Sequence, residues 1–262
     1  MSAAANNIVI MAGGLGKRMS SELPKVLHNL GNIPMLVRIV QQAMMLKPYK
    51  ILIVVGKYKK IIEETLSKYV SLKNIVFIIQ EQALGTGHAI MCCRDFLLSN
   101  KSDSVLILSG DTPLVKSSTM YDMLNTTTNV NVCVTVAEDP IGYGRIVETD
   151  GIFEKIVEEK DCSDEERKIK KINGGMYAFN NNLLCKYLPY LTNNNAQKEY
   201  YLTDMIQIIK EHEQVAIGTH EISKNQQHEI RGVNTKKQLT DLEQYITPLS
   251  FEDRGRMDQW CL

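Results

Sequence analysis

The chain has 262 residues, of which 44% are hydrophobic and 23% are charged, and its 30 basic side chains balance its 30 acidic ones. This length and composition are sufficient for a full hydrophobic core, as one large α/β domain or two small ones. A formal net charge of zero argues against a general nucleic-acid-binding or membrane-surface protein. No stretch approaches the roughly 20 apolar residues of a membrane span, so we expect neither a nucleic acid nor a membrane as a partner.

The cysteines and the first residues indicate the compartment. The six cysteines form no CxxC pair and no cysteine–histidine group with the spacing of a zinc site. Residues 1–7 lack the basic and apolar regions of a secretory signal peptide. We therefore expect reduced thiols and a cytoplasmic location.

The first half of the chain alternates short apolar runs with segments of helical periodicity. The runs 8–11, 51–55, 75–79 and 105–108 are almost wholly apolar, as strands buried on both faces are. The segments between them, 35–45, 61–70 and 88–98, are predicted helices, and Pro34 precedes the first of them. This order predicts an α/β fold with a doubly wound, mostly parallel sheet and right-handed crossovers.

Beyond Pro113 the pattern changes. Strands are predicted at 130–136, 144–147, 153–157 and 175–179, with fewer helices between them. Because no linker rich in proline, glycine or serine divides the chain, we interpret this part as a mixed second half of the same domain.

Ligands of such sheets bind outside the carboxyl ends of the strands, which gives weight to the loop AGGLGKRM after the first strand. A dinucleotide-binding fingerprint fits poorly, because Met19 stands at the third glycine position and no acidic residue occurs between residues 23 and 62. A Walker A loop also fits poorly, because Met11 stands at its first glycine position and Arg18 at its Ser/Thr position.

What remains of this loop is a glycine turn beside three cations. Its backbone N–H groups, together with Lys17, Arg18 and Lys25, could surround a polyphosphate. A purely structural loop is the alternative interpretation.

Three further stretches carry candidate chemistry. In LSGDTPL, Asp111 follows a buried strand and is either a Mg²⁺ ligand or a turn residue that caps the next helix. In QEQALGTGHA, Gln80 and Gln82 could read a base edge, glycines 85 and 87 permit a close backbone contact, and His88 is either a helix-start residue or a catalyst. Later strand ends carry Gly144, Glu158 and Asn173, where polar side chains can bind sugar hydroxyls. The sequence shows no Ser-His-Asp or Cys-His signature.

Seven segments in this order, GGLGKRMSSELPKVL, QEQALGTGHA, GDTPL, GYGRI, INGG, LTNNNAQKEYYLTD and GVN, resemble a known family. The chain is similar, over roughly residues 7–246, to the uridyltransferase domain of the bifunctional bacterial N-acetylglucosamine-1-phosphate uridyltransferases. The resemblance implies a single Rossmann-like domain of the nucleotide-diphospho-sugar transferase type at residues 1–246 and a C-terminal tail at 247–262. The bacterial enzymes continue into a left-handed β-helix acetyltransferase. This chain contains no hexapeptide repeat, so we expect neither acetyl-CoA chemistry nor trimerisation through a β-helix.

The resemblance also implies roles for residues that match the family's motifs. It implies Mg²⁺ ligation by Asp111 and Asn234, and catalytic contacts with the phosphates from Arg18 and Lys25. The implied nucleotide-binding residues are Ala12, Gly13, Gly14, Gln80, Gly85, Thr86 and Gly110, and the implied sugar-binding residues are Tyr143, Gly144, Glu158 and Asn173. The chain departs from the family at Gly13, in the first loop, and at Ser109, where the family often has tyrosine.

The implied reaction forms UDP-N-acetylglucosamine and pyrophosphate from UTP and N-acetylglucosamine-1-phosphate, with Mg²⁺ as cofactor. Two alternatives remain open at this point. One is a related enzyme that uses glucose-1-phosphate or another nucleoside triphosphate. The other is a catalytically silent nucleotide-binding module, which would keep the glycine loop but would not need both Asp111 and Asn234.

Overall fold

The computed structural model describes residues 6–14, 19, 21–100 and 102–252, the last six of them by their backbone only. Its main sheet has nine strands in the order β11-β7-β10-β6-β1-β4-β5, with a hairpin of β8 and β9 attached to β10, and a separate small ladder joins β2 and β3. The strands are β1 Asn6–Met11, β2 Asn29–Leu30, β3 Ile33–Pro34, β4 Lys50–Val55, β5 Ile75–Ile79, β6 Ser104–Ser109, β7 Val130–Val136, β8 Arg145–Thr149, β9 Ile152–Val157, β10 Lys171–Asn180 and β11 Gly218–Glu221.

The parallel half of the sheet determines where the candidate nucleotide-binding residues lie. Strand β1 pairs in parallel with both β4 and β6, and β4 pairs in parallel with β5. The chain thus runs outward from β1 to β5 and then returns to the other side of β1 with β6. A crevice forms at such a reversal of strand order, outside the carboxyl ends of the strands. The doubly wound, mostly parallel sheet predicted from the sequence is confirmed.

The antiparallel half is built around β10, which lies between β6 and β7 and is antiparallel to both. This strand is twice as long as the predicted segment 175–179, because its register shifts between Asn173 and Tyr177 instead of ending there. Gly175 lies in this irregularity with a φ of +72°, a backbone conformation that favours glycine. The irregularity changes the course of the strand beside Asn173, one of the candidate sugar-binding residues.

The helices cover both faces of the sheet. They are α1 Met35–Met45, α2 Lys59–Leu66, α3 Thr86–Met91, α4 Arg94–Ser99, α5 Ser117–Leu124, α6 Asp164–Arg167, α7 Asn181–Tyr187, α8 Asp204–Glu213 and α9 Lys236–Glu252. Helix α1 has the predicted bounds. The single helix predicted at 88–98 is wrong, because the backbone N–H of Cys93 bonds to the carbonyl of Ile90 and this tight turn separates α3 from α4. Helix α9 runs through the expected domain boundary at residue 246, and that boundary stays a prediction.

Two apolar layers hold the helices to the sheet. Along β1, Ile8 and Ile10 belong to one layer and Val9 to the other, and all three are fully buried. Helices α1, α2 and α5 pack in the first layer, and α3, α4, α7 and α8 pack in the second. Burial on both faces explains why these strands are apolar throughout.

Two further expectations can be compared with the described residues. The five described cysteines are free thiols, and Cys261 lies outside the described residues. No helix in the described part of the chain is both long and apolar enough to cross a membrane.

Candidate active site

The carboxyl ends of β1 and β6 lie in close contact. The backbone N–H of Gly110 donates to the carbonyl of Met11 at 2.9 Å, and that of Ala12 donates to the carbonyl of Val54 at 2.8 Å. A Cβ atom at Gly110 would lie 2.7 Å from the Met11 oxygen, which is too short for a real contact. Glycine at this position therefore lets Asp111 follow directly beside the loop that begins at Ala12.

A second loop closes the side of the crevice where the candidate nucleotide-binding residues Gln80, Gly85 and Thr86 lie. Gln80 is buried, and its Nε2 atom lies 3.1 Å from the Gly85 carbonyl and 3.1 Å from Nδ1 of His88. Gly85 has a φ of +112°, and a Cβ atom there would lie 2.5 Å from the Tyr200 carbonyl. The Thr86 hydroxyl accepts a hydrogen bond from the backbone N–H of Leu202 at 3.0 Å. This loop is thus packed against the EYYL segment, 199–202.

Lys25 connects the carboxylate of Asp111 with the amide of Asn234, the two side chains that were expected to bind a metal. Its ammonium donates hydrogen bonds to Oδ2 of Asp111 and, at 2.9 Å, to Oδ1 of Asn234. The other carboxylate oxygen of Asp111, Oδ1, accepts from the Ser109 hydroxyl at 2.8 Å. The backbone N–H of Val233 donates to the Asp111 carbonyl at 2.9 Å and holds the Asn234 segment against β6. Asp111 therefore does not act as a capping residue for α5, whose N-cap position is Lys116.

These residues surround one cavity of about 240 Å³. Its lining includes most of the residues predicted to bind the nucleotide, together with Lys25 and Asp111: Gly13, Gly14, Gln80, Gly85 and Thr86. Ala12 and Gly110 do not line this cavity; they lie at the strand ends described above. Ser109 and Glu199 also line the cavity, and the sequence motifs had not assigned either of them a role.

The donor set at Lys25 fits a magnesium ion. Among the described residues, no group of three or more His, Cys, Asp or Glu side chains could hold a metal. A carboxylate and an amide oxygen side by side suit Mg²⁺, because this ion usually takes one or two protein oxygens and completes its shell with water and phosphates. The ammonium of Lys25 already occupies this position as a cation between the two oxygens.

Three of the four candidate sugar-binding residues form a second cluster. The backbone N–H of Asn173 donates to the Gly144 carbonyl at 2.9 Å. A Cβ atom at Gly144 would lie 3.1 Å from Cγ2 of Ile156 and 3.6 Å from Oε2 of Glu158, so the backbone of Gly144 packs closely beside this carboxylate. The Asn173 amide donates to the Tyr177 hydroxyl at 2.6 Å and accepts from the backbone N–H of Gly175 at 3.1 Å.

The Glu158 carboxylate lies in an acidic, partly dry environment. Burial raises its pKa above the ordinary value, and the carboxylate of Asp161 adds to this, whereas the hydrogen bond from Thr203 at 2.8 Å lowers it. Burial also raises the pKa of Asp204 to about 6, and the charges of Glu158 and Asp161 act in the same direction. These acidic side chains therefore lie close enough together for their charges to repel.

Tyr143, the fourth candidate sugar-binding residue, lines a different and larger cleft of about 920 Å³, together with Arg231 and Gln238. Burial raises the pKa of its phenol, Arg231 lowers it, and the nearby charge of Asp111 raises it further. Tyr143 therefore lines a cavity separate from the one that Asp111 lines.

Some residues of interest were missed or lie outside the described residues. Arg18, expected to contact the phosphates, and Lys17 beside it are outside them. Thr203 and Asp204 were missed as site residues, although LTNNNAQKEYYLTD was singled out as a motif. In the sequence, Thr203 and Asp204 are only a polar pair at the end of that motif. Their spacing does not identify the residues that they contact in the fold.

The sheet is doubly wound, and a glycine-lined cavity, a lysine and a carboxylate lie at its switch point. This arrangement is typical of α/β proteins that bind nucleotides. Residues 7–247 match the family model described as nucleotidyl transferase, and the chain belongs to this family.

The chain is 37% identical over 241 residues to the "Probable UDP-N-acetylglucosamine pyrophosphorylase" of Acanthamoeba polyphaga mimivirus, covering 90% of this chain and 94% of that protein. It is 42% identical over 241 residues to the "Bifunctional protein GlmU" of Francisella tularensis subsp. novicida, of which it spans only 50%. The inositol-1-phosphate CTP transferase from T. maritima shares the fold, with a TM-score of 0.72 at 12% identity, covering 95% of this chain and 98% of that one. The resemblance stated from the sequence motifs is confirmed.

Proposed function

We propose that this chain transfers a uridylyl group from UTP to N-acetylglucosamine-1-phosphate and releases pyrophosphate. The observation that carries the proposal is the convergence of Lys25, Asp111 and Asn234 beside a glycine-lined cavity at the switch point of the sheet. The choice of substrates is supported by the names of the relatives above and by the sugar-pocket motifs. We keep the cytoplasmic location expected from the sequence as part of this proposal.

In the proposed reaction, an oxygen of the sugar phosphate attacks the α-phosphorus of UTP in line with the leaving pyrophosphate. One P–O bond forms, the bond between the α-phosphorus and the bridging oxygen breaks, and pyrophosphate leaves. No covalent enzyme intermediate is needed, because phosphoryl-type transfer is catalysed mainly by positioning and charge neutralisation. Mg²⁺ held by Asp111 and Asn234 would supply positive charge that neutralises the phosphates.

The protein's own groups have distinct tasks in this proposal. Lys25 is the described cation that lines the nucleotide cavity, and its ammonium would stabilise charge that redistributes over the reacting phosphates. Arg18 would contact the leaving pyrophosphate. Glu158, which lies close to Gly144, would accept hydrogen bonds from the sugar, and the loop of Gln80, Gly85 and Thr86 would bind the base.

A matrix of nucleoside triphosphates and sugar-1-phosphates, with pyrophosphate release as the readout, tests this proposal. We expect the highest kcat/KM for UTP with N-acetylglucosamine-1-phosphate, and loss of turnover with EDTA that Mg²⁺ restores. Equal or faster turnover of glucose-1-phosphate or of another nucleotide would identify the related enzyme instead. Nucleotide binding without turnover of any pair would identify the silent binding module.

A further inference from the structure

The ammonium of Lys25 occupies the position that a divalent metal would need. It bridges Oδ2 of Asp111 and Oδ1 of Asn234, the two side chains proposed above as metal ligands. The side chains of Lys25 and Asp111 are only 12% and 16% exposed, so water screens their charges weakly. A carboxylate in such surroundings requires a positive partner, and in this structure Lys25 is that partner.

A metal ion cannot take the position between these two oxygens while the ammonium holds it. Mg²⁺ binds oxygen ligands at about 2.0–2.1 Å, so an ion on the same two atoms would overlap the space of the ammonium. Oδ1 of Asp111 is already engaged by the Ser109 hydroxyl at 2.8 Å. Metal binding therefore requires the ammonium to leave its position between Asp111 and Asn234.

The backbone of Lys25 lies in a short helix, and its side chain reaches into the proposed nucleotide cavity. Lys25 begins a short 3-10 helix, Lys25–Leu27, whose other two residues are buried, and the Leu27 N–H donates to the Pro24 carbonyl at 2.9 Å. The four-carbon side chain also lines the 240 Å³ cavity proposed to hold the nucleotide. An ammonium released from Asp111 thus has a second place nearby, where phosphates would replace the lost carboxylate contact.

We propose that Lys25 is an internal competitor of the metal: its ammonium neutralises Asp111 until a divalent ion replaces it, and the released ammonium then turns to the nucleotide phosphates. This inference rests on the proposed function for the identity of the metal site. It implies that binding of a divalent ion to the substrate-free protein is weakened by Lys25. It also implies that nucleotide phosphates strengthen metal binding, because they offer the ammonium a new partner.

The test is Mn²⁺ binding to the whole chain without substrates, measured by the electron paramagnetic resonance signal of free Mn²⁺ and by calorimetry. Lys25→Met removes the charge and keeps most of the side-chain length, and it should bind Mn²⁺ about tenfold more tightly than the unsubstituted protein, a coupling typical of groups in contact. Lys25→Arg keeps a cation and should bind as the unsubstituted protein does. Lys68→Met removes an exposed lysine beyond α2 and should change nothing. Adding Asp111→Asn to Lys25→Met should abolish the tight binding.

Equal or weaker Mn²⁺ binding by a folded Lys25→Met protein would overturn the inference, as would tight binding that survives Asp111→Asn. If Lys25→Met does not fold, the ¹⁵N-labelled ammonium signal of Lys25 in the unsubstituted protein gives the answer. Diamagnetic Mg²⁺ should shift that signal at saturation, and an unchanged signal would also overturn the inference. If these tests fail while the protein still forms UDP-N-acetylglucosamine with Mg²⁺, the proposed function stands without the competition. If no substrate pair reacts, the proposed function itself is wrong.

Discussion

The Asp111 carboxylate is oriented by a residue two positions before it in the chain. Ser109 ends β6, and its hydroxyl donates to Oδ1 of Asp111 at 2.8 Å. The resembled family often has tyrosine at this position, so the contact is a feature of this chain's own sequence. A serine at the end of a strand gives no sequence signal for such a role, and only the structure shows which oxygen it holds.

We expect Ser109→Ala to raise the Mg²⁺ concentration for half-maximal activity about ten- to hundredfold, because one hydrogen bond to a charged group is worth roughly 1.5–3 kcal/mol. The kcat at saturating Mg²⁺ should change by less than about twofold, since the metal then orients the carboxylate itself. Ser67→Ala is the matched control, because that exposed hydroxyl bonds to the Glu64 carbonyl far from the site. An unchanged metal requirement, or a lower kcat at saturation, would show that Ser109 does not act by orienting Asp111.

The raised pKa of Asp204 makes the free energy of unfolding depend on pH. Its pKa is raised from 3.8 to about 6, first by burial and then by the charges of Glu158 and Asp161. Below pH 4 the folded and unfolded chains both bind the proton. Between pH 4 and pH 6 the folded chain binds more protons than the unfolded one, so its free energy of unfolding falls as the pH rises. Above pH 6 the Asp204 carboxylate is charged in the folded chain, and the free energy of unfolding is lowered by the full cost of burying that charge.

Asp204→Asn should therefore raise the Tm at pH 7–8 relative to the unsubstituted protein, and the difference should shrink as the pH falls through 6 towards 4. Thermal unfolding followed by circular dichroism across this range measures it. Asp122→Asn, at an exposed position on α5, should show no such pH-dependent difference. A constant Tm difference for Asp204→Asn at all pH values would mean that the effect is packing and not ionisation.

At the scale of elements, the loop from Gln80 to His88 contains two closely packed glycines, Gly85 and Gly87, and only Gly85 has a positive φ. Gly85 and Gly151 both have positive φ, +112° and +75°, but only Gly85 lies against backbone atoms, those of Tyr200. We expect Gly151→Ala to destabilise the fold by about 1–2 kcal/mol through strain alone. Gly85→Ala should cost about 1–3 kcal/mol more, because the loop must move away from Tyr200.

The same shift should weaken nucleotide binding, because Gly85 and Thr86 line the cavity. Urea unfolding measures the stability difference, and calorimetry measures the affinity for UTP. The Gly151 variant should retain the affinity of the unsubstituted protein. Equal costs for the two variants would show that the contact with Tyr200 does not restrain the loop.

The elements that sequence reasoning located well are those whose pattern is local. Helix α1 and strands β5 and β7 have the predicted bounds, because each is a continuous apolar or amphipathic segment. The division between α3 and α4 and the length of β10 were missed. Both depend on tertiary contacts: the turn at Cys93 is buried in the core, and the irregularity of β10 is set by its pairing with β7. No bounds were predicted for helices α5 to α9 or for strands β2, β3 and β11.

At the scale of the whole molecule, the site joins distant parts of the chain. Lys25 and Asn234 are 209 positions apart, and Lys25 and Asp111 are 86 apart. The first loop, Asp111 and the Gln80 loop could be placed together from the sequence, because they follow parallel strands of one sheet and so reach the same edge. The contact of Lys25 with both metal-site oxygens could not, since no period or spacing predicts which of several cations crosses the crevice. That Thr203 faces Glu158 was likewise visible only in the structure.

Because the site is built from both ends of the described chain, its ligands should stabilise the molecule as a whole. A ligand that binds only the folded state at a hundredfold excess over its Kd adds about 2.7 kcal/mol to the free energy of unfolding. For a domain of this size that corresponds to a rise in Tm of roughly 5–10 °C. We expect UTP with Mg²⁺ to produce such a rise in a single cooperative transition, measured by calorimetry. Asp111→Ala should reduce the part of the rise that depends on Mg²⁺ and leave most of the part due to UTP alone. Two separate transitions, with only one moved by UTP and Mg²⁺, would contradict a site that spans one cooperative unit.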